Sequence, residues 1–279
     1  MNKFLIVGSG RRVQQDIIPV LEYIGCKNKD ISVYATREKK ILVRDSIYDV
    51  FNFEKLKYIE NDTIVYIAVP AAALRSVIEL VLELNSSVKL IVDTPINSAT
   101  VVNRFRGYNI SVAEDAFFLG KYLLDSNLIH KNFSLLTFYK SAMSYHGVAF
   151  IEALLSQILL SFSLFGLYIA ICKKGVAIIF GKKNYEKGNI WLNTSQLEFP
   201  LLSQREKELI GGLSNRDSVS SRFLDLKRIG LVYLINAVIS NSSETIALSD
   251  GYRHFKKSKS INVYIFENIK KYLKKALLK

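Results

Sequence analysis

Apolar residues in the first hundred positions fall into short runs, separated by glycine, by charged clusters and by stretches with helical spacing. Phe4 to Val7 is a four-residue apolar run closed by Gly8-Ser9-Gly10, which reads as a short buried strand ending in a turn. Val13, Ile17, Ile18, Val20, Leu21 and Ile24 then share one face of a 3.6-residue repeat, which predicts a helix from Val13 to Ile24. Ile31 to Ala35, Thr63 to Val69 and Val88 to Val92 read as further strands, with a helix over Leu74 to Leu84 between the last two. Strands alternating with helices pair in parallel through right-handed crossovers, so this half is expected to form a doubly wound parallel α/β sheet of the Rossmann type. After Ile110-Ser111-Val112-Ala113 the regular alternation stops.

The second half has a different rhythm. It reads as a strand over Phe133 to Tyr139 and a helix from about Ser144 to Leu160. Strand-like runs follow at Phe165 to Ile171, Gly175 to Phe180 and Asn189 to Leu192, then helices at Arg222 to Ser240 and Val263 to Leu278. The turn-like Lys173-Lys174-Gly175 between two of the runs suggests a mostly antiparallel, open sheet, hence an α+β domain. The expected division is therefore 1–115 for the Rossmann domain and 116–279 for the α+β domain. Ala153 to Cys172 carries no charge and has the length of a membrane span. Ser156, Gln157, Ser161, Ser163 and Gly166 interrupt it, and its composition shifts from Leu-rich to β-branched and aromatic, which predicts a buried helix followed by a buried strand. No membrane partner is expected.

Composition narrows the class. A chain of 279 residues, 49% hydrophobic and 23% charged, can bury one large core or two ordinary ones, which excludes disorder, and no repeat of solenoid length recurs. Two cysteines, Cys26 and Cys172, are too few for a disulfide scaffold and suit a reducing compartment. With only four apolar residues before the first glycine, no export signal is read, and the cytoplasm is the expected location. The net charge of +13 fits an anionic small-molecule substrate; without interleaved aromatic and basic residues, no nucleic-acid partner is expected. Lys256, Lys257, Lys259, Lys270, Lys271, Lys274, Lys275 and Lys279 read as a solvated helix face. No paired Cys-x-x-Cys, His-x-x-x-His or dense carboxylate cluster points to a metal.

Candidate chemistry begins at the first turn. A Gly-x-Gly between a first strand and a first helix lets backbone approach a pyrophosphate, whose charge meets the amides and dipole of the helix N-terminus. Gly8 and Gly10 fit that role, although Val13 stands where the fingerprint has a third glycine or alanine. The second strand ends Tyr34-Ala35-Thr36-Arg37. A carrier lacking a 2′-phosphate normally meets Asp or Glu there. Thr36 and Arg37, with Arg11 and Arg12 in the turn, instead offer donors and positive charge, so NADP is expected, with NAD the alternative.

Val7-Gly8-Ser9-Gly10-Arg11, Asp62 to Pro70 and Val92-Asp93-Thr94-Pro95 together resemble the Gfo/Idh/MocA oxidoreductases in order and spacing. The resemblance implies hydride transfer between a nicotinamide and a hydroxyl or carbonyl carbon, often on a sugar or nucleotide-linked sugar. It also implies that Val69, Pro70, Asp93 and Pro95 lie along the cofactor. The family's Glu-Lys-Pro corresponds to Asp93-Thr94-Pro95, so Thr94 replaces the catalytic lysine, and a threonine cannot act as an acid near neutral pH. The family's Asp and His four residues apart should fall between Ser144 and Glu152, where Tyr145 and His146 are the available substitutes.

His146 has the ordinary chemistry to deliver a proton near neutral pH, with Tyr145 or Lys140 assisting. The alternative for His146 is a satisfied structural group. Glu114-Asp115 would line the same cleft or mark an exposed domain junction. The reading is an NAD(P)-dependent oxidoreductase, and its alternative is a cofactor-binding protein of the same fold without turnover. The open sheet face predicts a homodimer.

Overall fold

The computed structural model describes residues 2–125, 134–139, 145–164, 167–180, 189–192, 195–196, 208–209 and 223–258. Lys140 and the helix expected over Val263 to Leu278 lie outside them. The chain divides into two compact units, one of residues 1–114, 205–216 and 231–252, the other of 115–204, 217–230 and 253–279.

The first unit is built on a seven-stranded sheet of β1 (Lys3–Val7), β2 (Ile31–Ala35), β3 (Lys39–Val43), β4 (Ser46–Asn52), β5 (Thr63–Ile67), β6 (Lys89–Asp93) and β7 (Ile110–Ala113), in the order β3-β4-β2-β1-β5-β6-β7. All neighbours run parallel except β3 and β4. The central strand β5 and the edge strand β7 are buried at every position, as the two-sided cover of a parallel sheet requires. Residues 11–23 form one helical segment, a π turn over Val13–Ile17 leading into α1 (Ile18–Tyr23). The crossovers to β6 and β7 carry α2 (Leu74–Leu84) and α3 (Ala99–Arg104).

The β3–β4 hairpin has no counterpart in the sequence reading. Ile41, Val43, Tyr48 and Val50 alternate with exposed residues and are buried. Only Thr36 to Glu38 separate β2 from β3, too few for a helix, so the hairpin stands where a crossover helix would otherwise follow β2.

The second unit holds a six-stranded sheet, ordered β13-β12-β8-β11-β10-β9. Its strands are β8 (Leu135–Tyr139), β9 (Ile158–Leu164), β10 (Leu167–Cys172), β11 (Gly175–Phe180), β12 (Asn189–Leu192) and β13 (Ser195–Gln196). Only β8 and β11 pair in parallel. The fold is thus a Rossmann sheet plus a separate, mostly antiparallel one. Tyr168, Ala170, Cys172, Ala177, Ile179 and Leu136 form the buried face, while Leu160 and Ile171, paired across β9 and β10, stand exposed on the other.

Two elements here correct the sequence reading. The helix expected to reach Leu160 is α5 (Tyr145–Leu155). It stops because Ser156 turns into the left-handed region at φ 66°, which an interior helical residue does not adopt. Ile158 to Leu164 is a strand instead, and the serines at 161 and 163 mark its two-residue period. A second helix, α4 (Asp115–Asp125), occupies a stretch where the alternation had been expected to stop. It packs on α5 at Gly120, where a Cβ would lie 2.7 Å from that of Ala153. α6 (Phe223–Ile239) falls in the second unit up to Gly230 and in the first beyond it. α7 spans residues 248–258. Among the described residues no helix is long and apolar enough to cross a membrane.

Candidate functional site

In an open parallel sheet, ligands bind outside the carboxyl ends of the strands, where the chain reverses its direction of travel across the sheet. Here that point lies between β1 and β5, and the glycine turn sits on it. Gly8 has φ 127°, and a Cβ there would stand 2.2 Å from the carbonyl oxygen of Ala68, so only glycine fits. Its amide donates to the Tyr34 carbonyl at 2.7 Å, and the Ala68 amide donates to Val7 at 2.8 Å. The ends of β2, β1 and β5 are thereby tied together.

Gly10 differs. A Cβ there would meet nothing within 4 Å, so the second glycine, itself exposed, faces open space at the start of the helical segment. Gln14 donates its side-chain amide to the Ser9 carbonyl at 2.8 Å and holds the turn from beneath. Val13, fully buried, opens the π turn, a distortion that recurs at functional sites. A turn with an uncovered glycine, followed by the N-terminal turn of a helix, fits the pyrophosphate of a dinucleotide.

Arg12 is drawn toward the end of β6. Its guanidinium reaches Asp16 at 2.9 Å and Asp93 at 3.4 Å, and Tyr66 donates its hydroxyl to the same Asp93 oxygen at 3.4 Å. Asp93 closes β6, three strands from β2 in the sheet order, or roughly 14 Å at ordinary strand spacing. Thr94 and Pro95, joined by a cis peptide, follow Asp93 and are half-buried. Val69 and Pro70 follow β5 in the adjacent position. At the other edge, Thr36 and Arg37 are exposed beyond β2, and Arg11 is exposed with its Nε on Gln15 at 2.6 Å. Glu38, the acid nearest that end, is taken by Lys55 at 2.7 Å, whose hydrogen bond lowers its pKa.

In the second unit, Tyr145 and His146 open α5, and His146 is half-buried. Glu114 is fully buried just past β7, and Asp115 is buried at the start of α4, so neither is an exposed junction. Sequence reasoning missed Asp16, Gln14 and Tyr66, of which the Arg12/Asp16 pair carried a legible signal in its i,i+4 spacing. It also missed Glu152. That carboxylate, 4% exposed, accepts from Arg253 at 2.9 Å, His254 at 3.1 Å and Lys257 at 2.6 Å, and from the Ile158 amide at 3.3 Å. Lys257, expected on a solvated face, is therefore turned inward, because a buried carboxylate needs a partner. Burial opposes ionisation of Glu152, but hydrogen bonds from His254 and Lys257 and the charge of Arg253 outweigh it and hold its pKa down at about 2.

Neither thiol is poised for chemistry: burial raises the pKa of Cys26 and pushes that of Cys172 up to about 11, so both remain protonated. Among the described residues no group of three or more His, Cys, Asp or Glu could hold a metal ion.

No protein-family model and no curated protein matches the sequence. Solved structures do match, over nearly the whole chain. An oxidoreductase from Agrobacterium radiobacter, solved with NAD+, L-tartaric acid and magnesium, is 10% identical with a TM-score of 0.60, covering 92% of this chain and 94% of its own. Levoglucosan dehydrogenase, solved with NADH and levoglucosan, is 10% identical with a TM-score of 0.59, covering 93% and 96%. The scyllo-inositol dehydrogenase of Lactobacillus casei is 14% identical with a TM-score of 0.55, covering 94% and 95%. These neighbours are oxidoreductases of the Gfo/Idh/MocA type, and the two-domain fold of this chain is theirs.

Proposed function

We propose that this protein is an NADP-dependent oxidoreductase of the Gfo/Idh/MocA type. It would reduce a carbonyl or imine, or oxidise a hydroxyl, on a polar small molecule such as a nucleotide-linked sugar. The observation that carries the reading is the pair of glycines: Gly8 locked against Ala68, Gly10 open over the start of the helical segment. Neighbours of the same fold hold NAD+ or NADH, which supports a nicotinamide dinucleotide. NADP in particular is favoured by the sequence beyond β2, where Thr36 and Arg37 stand in place of a free acid and Arg11 lies nearby. Val69, Pro70, Asp93 and Pro95 would flank the cofactor, with Arg12 ordering the β6 side of the turn. The open apolar face of the second sheet, with Leu160 and Ile171 exposed, supports a homodimer. Free cysteines at 26 and 172 support the cytoplasm.

When bound, the nicotinamide supplies or accepts the hydride at the substrate carbon. His146, as imidazolium, would give a proton to the substrate heteroatom during reduction and take it back during oxidation. Tyr145 and Lys140 would assist it. Thr94 can orient the substrate oxygen by a hydrogen bond but cannot protonate it. That substitution favours one second reading: a dinucleotide-binding protein of this fold without redox turnover.

Fluorescence titration with NADPH and NADH tests the proposal. Wild type is expected to bind, NADPH more tightly. Gly10→Glu, which places a carboxylate beside the turn, should abolish binding while the fold stands; unchanged affinity refutes the placement. His146→Ala should slow oxidation of NADPH by carbonyl sugars at least tenfold without weakening NADPH. Tight binding with no oxidation by any polar carbonyl or imine favours the second reading.

A further inference from the structure

Residues 37–45 carry an edge that is complementary to itself. β3 is the outer strand of the first sheet, and among the described residues β4 is its only neighbour. The two-residue turn Arg44-Asp45 joins the two strands, so Val43 and Ser46, which flank it, exchange both main-chain hydrogen bonds. By alternation Ile41 and Lys39 also direct amide and carbonyl to β4, whereas Lys40 and Leu42 direct theirs to the open edge. The side chains alternate as well. Ile41 and Val43 are buried on the side where Tyr48 donates to Glu22 of α1, while Lys40 is exposed and Leu42, beside its register partner Ile47, is 67% exposed.

Lysines on an open edge commonly guard it, because like charges keep a second edge away. Here the order of residues undoes the guard. With β3 laid antiparallel on a second copy and Ile41 on the two-fold axis, Lys39 falls opposite Val43 of the partner subunit and Lys40 opposite the partner's Leu42. No lysine then meets a lysine. At the strand ends Glu38 comes beside the partner's Arg44 and Arg37 beside the partner's Asp45, so both pairs are opposite in charge. The neighbouring registers that use the same outward amides are worse: an axis at Lys40 sets that lysine against its own copy, and one at Leu42 sets Lys40 against the partner's Arg44.

We infer that β3 pairs edge to edge with β3 of a second copy of this chain, continuing the first sheet across a two-fold axis. Lys40 and Leu42 then exchange about four main-chain hydrogen bonds with the partner's Leu42 and Lys40, and Leu42 lies against the aliphatic stem of the partner's Lys40. Glu38 and Arg44 have partners in their own chain, Lys55 at 2.7 Å and Glu22 at 3.8 Å, yet their side chains remain 54% and 33% exposed, so each can take a second. This contact is separate from the homodimer proposed through the second sheet and does not depend on the dinucleotide reading. An edge of five residues buries less than a standard interface, so the expected Kd is roughly 1–100 μM.

The test combines sedimentation velocity with hydrogen exchange on the full chain, from well below to well above that range. The amides of Lys40 and Leu42 should exchange severalfold more slowly at the high end, as the mass rises. Leu42→Pro, which removes an outward amide without touching the ladder to β4, should abolish this concentration dependence. Glu38→Arg and Arg44→Glu, each checked for folding by circular dichroism, should each weaken the association roughly tenfold, because each sets like charges opposite one another at both ends of the pair. An equimolar mixture of the two variants should restore it, since the arginines of one then meet the glutamates of the other; a general loss of stability would not be repaired by mixing. Exchange in β3 that does not change with concentration overturns the pairing even if the mass rises, and assigns the association to another surface such as the second sheet. Wild-type association in Leu42→Pro or in either charge variant also overturns it, as does a mixture that fails to recover.

Discussion

Two ion clusters, one in each unit, balance bases against carboxylates in opposite ways. Beside the glycine turn one guanidinium, Arg12, is shared by two carboxylates, Asp16 and Asp93. In the second unit one carboxylate, Glu152, is shared by Arg253, His254 and Lys257. The first cluster keeps its arginine 21% exposed at the mouth of an open turn, so water and a ligand can both reach it. The second sinks its carboxylate to 4% exposure and ties α5 to a helix about a hundred residues later. An ion cluster at the rim of a site leaves a polar group available. One in the interior closes the chain on itself, and the stability consequences should differ accordingly.

The largest effect is expected at Glu152. Removing one member of a buried ion cluster strands the others, at about 3–5 kcal/mol. Because Arg253 and Lys257 reach solvent at 45% and 26% exposure, Glu152→Ala should fall near the lower end, about 3 kcal/mol in urea unfolding. The pH dependence gives an independent check with a definite sign. Glu152 has a folded pKa of about 2 against a reference of 4.5. Its contribution is therefore fully present above pH 4.5 and is lost as the pH falls toward 2; the shift corresponds to about 3 kcal/mol. Wild type should destabilise steeply across that window and Glu152→Ala much less. Parallel acid curves for the two would mean that the cluster does not set the acid limit.

The two clusters also differ in how legible they were. Spacing alone could have given the Arg12–Asp16 pair, and the glycine turn, the parallel strands and the helix start were readable because every one of them is local. Glu152 borders a run of twenty uncharged residues, which should have marked it as a buried acid in need of a cation, but sequence distance cannot say that the cation lies at 253 to 257. The β3–β4 hairpin was hidden for another reason. Its alternation is clear in Tyr48-Asp49-Val50, but its turn, Arg44-Asp45, lacks the glycine or asparagine that usually signals a hairpin; Arg44 takes the left-handed conformation itself, at φ 50°. At β9 the apolar run fitted helix and strand alike, and only the conformation of Ser156 separates them. Local chemistry was readable, whereas pairing across the chain was not.

The smallest effect is expected at Arg12, and it sharpens the contrast. Arg12→Ala leaves Asp16, itself buried, without its closest cation, yet water reaches this rim and Asp93 keeps the Tyr66 hydroxyl. The loss should be about 1 kcal/mol in the same urea experiment, a third of that at Glu152. Arg12→Lys should recover little of it, because an ammonium cannot span two carboxylates as the planar guanidinium does. Asp93→Asn should cost less still, since its contacts to Arg12 and Tyr66 are both long at 3.4 Å. If Arg12→Ala instead destabilises the protein as strongly as Glu152→Ala, the rim cluster is part of the structural core, and the space beside Gly10 is less open to a ligand than its geometry indicates.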